Sequence, residues 1–201
     1  MRGGVQRVAL TGGIATGKSY VRERFEARGI PTIDADTLAR DAVAPGTRGL
    51  DDVIRRFGGE MRNANGALDR KKLGAVVFSD PVARRDLEAI IHPFVREATD
   101  RWFASLSPHH PFAVADIPLL FEAGRDVDFD AIIVAACAPE TELRRLIARD
   151  GLNEAEARLR IAAQLPLDQK IGKADYVIHT DGSFAETDRQ VGEVVSQLRN
   201  H

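Results

Sequence analysis

The chain has 201 residues, 44% of them hydrophobic and 29% charged, as expected of a soluble globular domain with a substantial core. Its 28 Lys and Arg against 30 Asp and Glu give a formal charge of −2, which excludes a general electrostatic pull toward nucleic acid or an anionic membrane. The single cysteine, Cys137, excludes an internal disulfide and points to a reducing compartment, the cytoplasm; no run of about 18 apolar residues exists to span a membrane, and the first strand begins too early to leave room for a signal peptide.

In chain order, Val5–Leu10 reads as an apolar strand. It runs into Thr11-Gly12-Gly13-Ile14-Ala15-Thr16-Gly17-Lys18-Ser19, where Gly12, Gly17, Lys18 and Ser19 fill the G-x-x-x-x-G-K-S pattern of a phosphate-binding loop. Glycines let the backbone turn tightly and let a ligand come close. Successive N–H groups then form an anion-binding concavity. A helix starting near Lys18 adds unpaired N–H groups and its positive dipole end. Lys18 is expected to reach the β- and γ-phosphates of a nucleoside triphosphate, and Ser19 to hold Mg²⁺ through its hydroxyl. Val21 and Phe25, four apart, with Gly29 as the stop, supply the helix that the motif requires.

The second strand, Pro31–Ile33, ends in Asp34-Ala35-Asp36. Read as extended chain, the two carboxylates point to one side, at the strand ends where open α/β sheets bind ligands. At least one is expected to act as a base or hydroxyl-orienting group, with a carboxylate near Mg²⁺. The competing expectation is a cap on a helix over Thr37–Ala44. Arg40 either binds a substrate anion or pairs with Asp36 across one turn.

The next eighty or so residues carry helical punctuation. Leu50, Val53, Ile54 and Phe57 recur at helical spacing and end at Gly58-Gly59. Asp69 caps a helix carrying Leu73, Val76 and Val77. Asp80-Pro81 opens another with Leu87, Ile90 and Ile91, and Pro93 is expected to open a further one with Val95, Trp102 and Leu106. The block is too large for one crossover helix. It is expected to be a helical subdomain, residues 45–110, that covers the second substrate. His92, before Pro93, reads either as a junction residue or, with Arg96 one turn later, as a contact for a substrate phosphate.

The third strand, Phe112–Ile117, carries Asp116, either a metal-side carboxylate or a plain strand-end residue. Pro118 halts the ladder and sends Leu119, Leu120 and Phe121 over the cleft as an apolar wall, or into the core. In the fourth strand, Ala131–Ala135, the apolar run leads to Cys137, which reads as a buried small hydrophobe. A helix over Pro139–Arg149, the turn Asp150-Gly151 and a helix capped by Asn153 form a lid over residues 139–165. Glu140 with Arg144, Glu154 with Arg158 and Glu156 with Arg160 are stabilising i,i+4 pairs. Arg145 and Arg149 instead place like charges on one face, which suits an anion between them. A transferring phosphoryl group is such an anion, and Arg149 is the preferred residue for it over a role at the helix C-terminus. The fifth strand is Tyr176–Ile178, and a last helix over Phe184–Leu198 packs back on the sheet. The expected fold is α/β: a P-loop NTPase with a five-stranded parallel sheet flanked by helices, its core at residues 1–44, 111–138 and 166–201.

These stretches together resemble the dephospho-coenzyme A kinase family. The likeness lies in Leu10–Ser19, Ile33-Asp34-Ala35-Asp36, Ala39-Arg40, Ile91-His92-Pro93, Ile117-Pro118-Leu119-Leu120-Phe121-Glu122, Arg149-Asp150, Arg158 with Gln164, and Lys170 with Ala174-Asp175. The resemblance implies transfer of a phosphoryl group from ATP to the ribose 3′-hydroxyl of dephospho-CoA, the last step of coenzyme A synthesis. It implies Asp36 as the catalytic carboxylate, with Lys18 and Arg149 beside the transferring group. It places Lys18, Ser19 and Arg149 around the ATP phosphates; with the motif and lid readings above, the expected ATP site is Gly12, Gly13, Ile14, Ala15, Thr16, Gly17, Lys18, Ser19, Arg145 and Arg149, with Ser19 and Asp116 beside Mg²⁺. It places Thr11, Asp36, Arg40, His92, Arg96, Pro118, Leu119 and Leu120 near the acceptor. The expected partners are these small molecules alone, with no nucleic acid or membrane, and a monomer is favoured. Ala15-Thr16 stands where the family often has Gly-Ser, and His179-Thr180-Asp181-Gly182 replaces a commoner Asn-Asn-Gly. The nearest rival is another small-molecule or nucleoside kinase of the same fold. A GTPase-like switch is disfavoured by the lack of Asn-Lys-x-Asp and Asp-x-x-Gly.

Overall fold

Five parallel strands organise the larger part of the molecule, in the order β2-β3-β1-β4-β5. They are β1 (Gln6–Gly12), β2 (Thr32–Asp34), β3 (Phe112–Asp116), β4 (Ala131–Ala136) and β5 (Tyr176–His179). The computed structural model describes residues 4–200. The chain divides into two compact units, one running to Asp34 and resuming at Phe103, the other covering Ala35–Trp102.

In the first unit β1 lies centrally, with Leu10 opposite Asp116 of β3 and Ile133 of β4. All residues of β3 and β4 are buried, as their unbroken apolar sequences require for strands covered on both faces. Helix α1 (Lys18–Glu26) and helix α9 (Phe184–Arg199) close one face. Val21 and Phe25 of α1 join Val8, Leu10, Phe112, Ile133, Ile178, Val191 and Leu198 in one core, and Phe25 meets Phe112 edge-on at 6.4 Å between ring centres. The aromatic edge-to-face contact adds about 1 kcal/mol to the burial of the two rings. At the outer strand β5, Gln190 of α9 accepts from the His179 N–H at 2.8 Å and donates to the His179 carbonyl at 2.9 Å.

The same unit carries α6 (Pro139–Asp150), α7 (Glu154–Ala162) and the short α8 (Leu167–Ile171). Gly151 ends α6 in the left-handed region at φ 66°, a conformation open to glycine at little cost. Asn153 and Glu156 form a reciprocal capping box at the start of α7. Glu156 is thereby committed to the Asn153 N–H, so the expected Glu156–Arg160 pair does not form; Arg160 pairs with Asp150 at 2.9 Å instead. The Glu154–Arg158 pair is present at 2.6 Å.

The second unit is helical: α2 (Ala35–Ala42), α3 (Arg48–Phe57), α4 (Arg70–Ser79) and α5 (Pro81–Ser105), whose last three residues fall in the first unit. Val43, Leu50, Val53, Met61, Leu68 and Leu73 form its core, with Leu87, Ile90 and Ile91 packed on them. Asp69 caps α4 as its spacing indicates, accepting from Lys72 N at 3.0 Å. Two readings need correction. Pro93 does not open a new helix but lies within α5. An internal proline forfeits one backbone hydrogen bond and costs about 3 kcal/mol; the apolar positions Leu87, Ile90, Ile91 and buried Val95 hold the helix together on both sides of it. Helix α2 begins at Ala35 rather than Thr37, so Asp36 lies in its first turn and not in extended chain.

Candidate functional site

The phosphate loop is built where β1 meets α1. Gly12 has no room for a side chain: a Cβ there would lie 2.6 Å from the Ala135 carbonyl oxygen and 2.7 Å from Thr16 Oγ1. Thr16 is fully buried, and its hydroxyl donates to the Gly13 carbonyl at 2.9 Å, closing the loop on itself. Gly17 stands before α1 at φ 85°. Ala15 has φ 59° and is the single non-glycine residue with positive φ among the described residues. That conformation costs an L-residue about 1–2 kcal/mol. It is the kind of local strain that binding loops retain when their surroundings over-determine them.

Below the loop, α1 presents Lys18 and Arg22, one turn apart, to two carboxylates. Asp34 and Asp116 are register neighbours on β2 and β3. The Lys18 ammonium pairs with Asp116, and Arg22 reaches Asp34 at 3.0 Å and Asp116 at 3.9 Å. Burial pushes the Asp116 carboxyl above its ordinary range, while Lys18 and then Arg22 draw it back down. Asp34 and Asp116, not Asp34 and Asp36, are therefore the two carboxylates that stand side by side. Asp36 itself is exposed in the first turn of α2, and Arg40 is exposed in its last turn.

Three side chains distant in sequence brace the loop. The Ile14 N–H donates to Gln164 Oε1 at 3.0 Å. The Thr180 hydroxyl donates to the Thr16 carbonyl at 2.6 Å and accepts from Arg145 at 3.0 Å, while Arg145 also reaches the Thr180 carbonyl at 2.6 Å. Lys170, completely buried, donates to the Gly12 carbonyl at 3.2 Å and pairs with Glu122 at 2.9 Å. These were not derivable from local spacing, because each joins the loop to a residue about 150 positions away. A buried lysine gives no signal in periodicity; Lys170 is marked in the sequence by the family likeness alone.

The remaining expected residues are distributed as follows. Thr11 is buried and donates to the Pro118 carbonyl at 3.1 Å. The Pro118–Leu120 wall splits: Leu120 is fully buried core, whereas Leu119 is 43% exposed. Ser19 is exposed at the second position of α1. Arg149, in the last turn of α6, binds its neighbour Asp150 at 2.7 Å. His92 and Arg96 are exposed on α5, one turn apart. Next to the loop, a cavity of about 460 Å³ is lined by Gly17, Tyr20, Arg145, Thr180, Gly182 and Phe184, among others. The Tyr20 and Phe184 rings lie 4.6 Å apart on its border.

Cys137 is 6% exposed, and burial pushes its thiol up to about 11. Thiolate is the reactive form, so native protein near pH 8 is expected to resist iodoacetamide and to label fully after denaturation. Rapid native labelling, counted by intact mass, would contradict this packing.

The dephospho-CoA kinase (CoaE) family model matches residues 6–186. The dephospho-CoA kinase of Anaeromyxobacter dehalogenans is 48% identical over 193 residues, 96% of this chain and 92% of that protein. Among solved structures, TT1252 from Thermus thermophilus superposes with a TM-score of 0.83 at 32% identity, over 97% of this chain and 98% of that one. The dephospho-CoA kinase from Campylobacter jejuni gives a TM-score of 0.74 at 27% identity, over 96% and 97%.

Proposed function

Since this chain belongs to the dephospho-CoA kinase family, we propose that it transfers the terminal phosphoryl group of ATP to the ribose 3′-hydroxyl of dephospho-CoA, giving CoA and ADP. The observation that carries this reading is the family match over residues 6–186, with the phosphate loop at the carboxyl end of the central strand.

In this reading the phosphate loop and the N-terminus of α1 cradle the triphosphate with their amides, the Ile14 N–H excepted, which Gln164 holds. Lys18 exchanges its Asp116 partner for the β- and γ-phosphates. The cavity lined by Tyr20, Arg145, Thr180 and Phe184 receives the adenine, and Arg145 stays fixed by Thr180. Arg149 leaves Asp150 for the transferring group, where positive charge stabilises the transition state. Asp36 orients the acceptor hydroxyl, and Thr11, Arg40, His92, Arg96 and the Pro118–Leu120 segment serve the acceptor side. The helical unit is then the acceptor-binding part, and α6 with α7 is the lid.

The donor chemistry fits Mg²⁺. Ser19 offers an exposed hydroxyl and Asp116 a carboxylate, both hard oxygens, and no group of three or more acidic, His or Cys side chains forms a protein cage among the described residues. Mg²⁺ commonly keeps several waters and takes few protein ligands. When bound it supplies neutralisation of phosphate charge. The cytoplasm suits a lone, buried thiol, and no helix among the described residues is long and apolar enough to cross a membrane; a monomer is favoured.

Incubation with ATP, Mg²⁺ and dephospho-CoA is expected to yield CoA, read by mass. Phosphorylation of other nucleosides or small alcohols in the same panel, with dephospho-CoA left unchanged, would replace this reading with another kinase of the same fold.

A further inference from the structure

Lys170 is a charged side chain with no exposed surface, yet it lies outside the phosphate loop and belongs to a helix of only five residues. Burying an ammonium without partners is costly enough that such a group is normally paired or neutral. Here all three of its donors are directed at oxygen. They face the Gly12 carbonyl at 3.2 Å, the Pro118 carbonyl at 3.5 Å and Glu122 Oε1 at 2.9 Å.

Each of these oxygens belongs to a different part of the nucleotide side of the molecule. Gly12 is the first glycine of the phosphate loop. Pro118 is the residue at which the chain leaves β3, and its carbonyl also accepts from Thr11 Oγ1 at 3.1 Å. Glu122 accepts from the Leu165 N–H at 2.9 Å, and Gln164, the residue before it, accepts from the Ile14 N–H at 3.0 Å. The segment that follows α7 is thus tied to the loop twice, once directly and once through Glu122 and Lys170. A second carboxylate, Glu142 of α6, is 5% exposed and crowds Gly13. Burial raises the Glu142 carboxyl, and Lys170 is the cation that opposes the rise. One ammonium therefore holds one carboxylate and two carbonyls at the base of the loop, and its charge is felt by a second carboxylate.

We infer that Lys170 is a positioning residue for phosphoryl transfer, one that fixes the phosphate loop against the β3 exit and against the segment that ends the α6–α7 hairpin. It makes no contact with the reacting atoms. Its effect passes through the Gly12 carbonyl and the Glu122 carboxylate. Displacing a bound reactant by about 1 Å costs roughly a hundredfold in rate, so a loop that loses this brace holds phosphate but holds it out of line. The inference rests on the kinase reading above.

The test compares Lys170→Met, Lys170→Arg and Glu122→Ala with wild type. ATP affinity is measured calorimetrically without the acceptor, kcat and KM with it, and Tm for each protein. Lys170→Met is expected to lower kcat by about 10- to 100-fold, with ATP affinity changed less than fivefold. Lys170→Arg, which keeps charge and donors, is expected to recover most of the loss. A folded Lys170→Met protein with kcat within twofold of wild type overturns the inference, however far its Tm falls. So does a Lys170→Arg variant as slow as Lys170→Met. If Lys170→Met does not fold, Glu122→Ala decides, because it leaves the lysine in place and removes the tie to Leu165: a kcat drop of tenfold supports the brace, and an unchanged kcat overturns it. Should wild type fail on dephospho-CoA, the acceptor assignment falls by itself. The same variants then read the brace through their rates on whichever acceptor wild type uses.

Discussion

Lys18→Ala is expected to lower kcat/KM for ATP by about a thousandfold or more and, separately, to lower the stability of the free protein. The first effect is the loss of the one flexible cation that the loop can send to the β- and γ-phosphates. The second follows from Asp116, whose side chain is 3% exposed and whose nearest remaining cation would be Arg22 at 3.9 Å. Breaking a buried pair by removing one partner costs about 3–5 kcal/mol. The pH dependence has a definite sign. Burial already holds the Asp116 carboxyl above its usual range, so its contribution to stability is greatest in acid and is lost as pH rises through the native value. Without Lys18 that value climbs further, and the destabilisation of the variant grows toward neutral pH. Lys18→Ala with Asp116→Asn is expected to regain Tm without regaining turnover. Thermal melts across pH 4–8, with ATP affinity and steady-state rates, check both halves; unchanged ATP affinity and rate in Lys18→Ala would remove the loop assignment.

Asp36→Asn is the second large effect: kcat is expected to fall by about 10²- to 10⁴-fold while ATP affinity and Tm stay near wild type. Asp36 is exposed in the first turn of α2, where a carboxylate's favourable interaction with the helix N-terminus amounts to about 0.5 kcal/mol. Phosphoryl transfer passes through a loose transition state in which the protein mainly positions groups. Asp36 would orient the hydroxyl more than strip it. Asp34→Asn gives the contrast, because Asp34 is held by Arg22 at 3.0 Å and its loss should show first in stability. A kcat in Asp36→Asn close to wild type would take that residue out of the chemistry.

The strands and the phosphate loop were legible because their signals are local. β1, β3 and β4 are apolar runs, and the loop is a contiguous motif whose glycines answer to close approach at Gly12 and to positive φ at Gly17. The caps at Asp69 and Asn153 were legible for the same reason. What failed was the choice between two local options that tertiary packing decides. Asp36 reads as extended chain because β2 precedes it, but α2 starts at once at Ala35 and takes Asp36 into its first turn. Pro93 read as a helix start, yet α5 carries on through it because apolar residues on both sides hold it down. Glu156 had two partners within one helical turn, Asn153 before it and Arg160 after it, and the cap took it. The bracing by Gln164, Lys170 and Thr180 was out of reach, since a residue's pairing across 150 positions leaves no mark on its neighbours.

The carboxamide of Gln190 has a consequence beyond α9 itself. It reproduces, in miniature, the donor and acceptor of a peptide group, and it offers both to His179. An outermost strand with vacant amides is a template on which a foreign chain can add itself. At this margin the template is already filled from within, so growth by strand addition is blocked at His179 by a residue of the same chain.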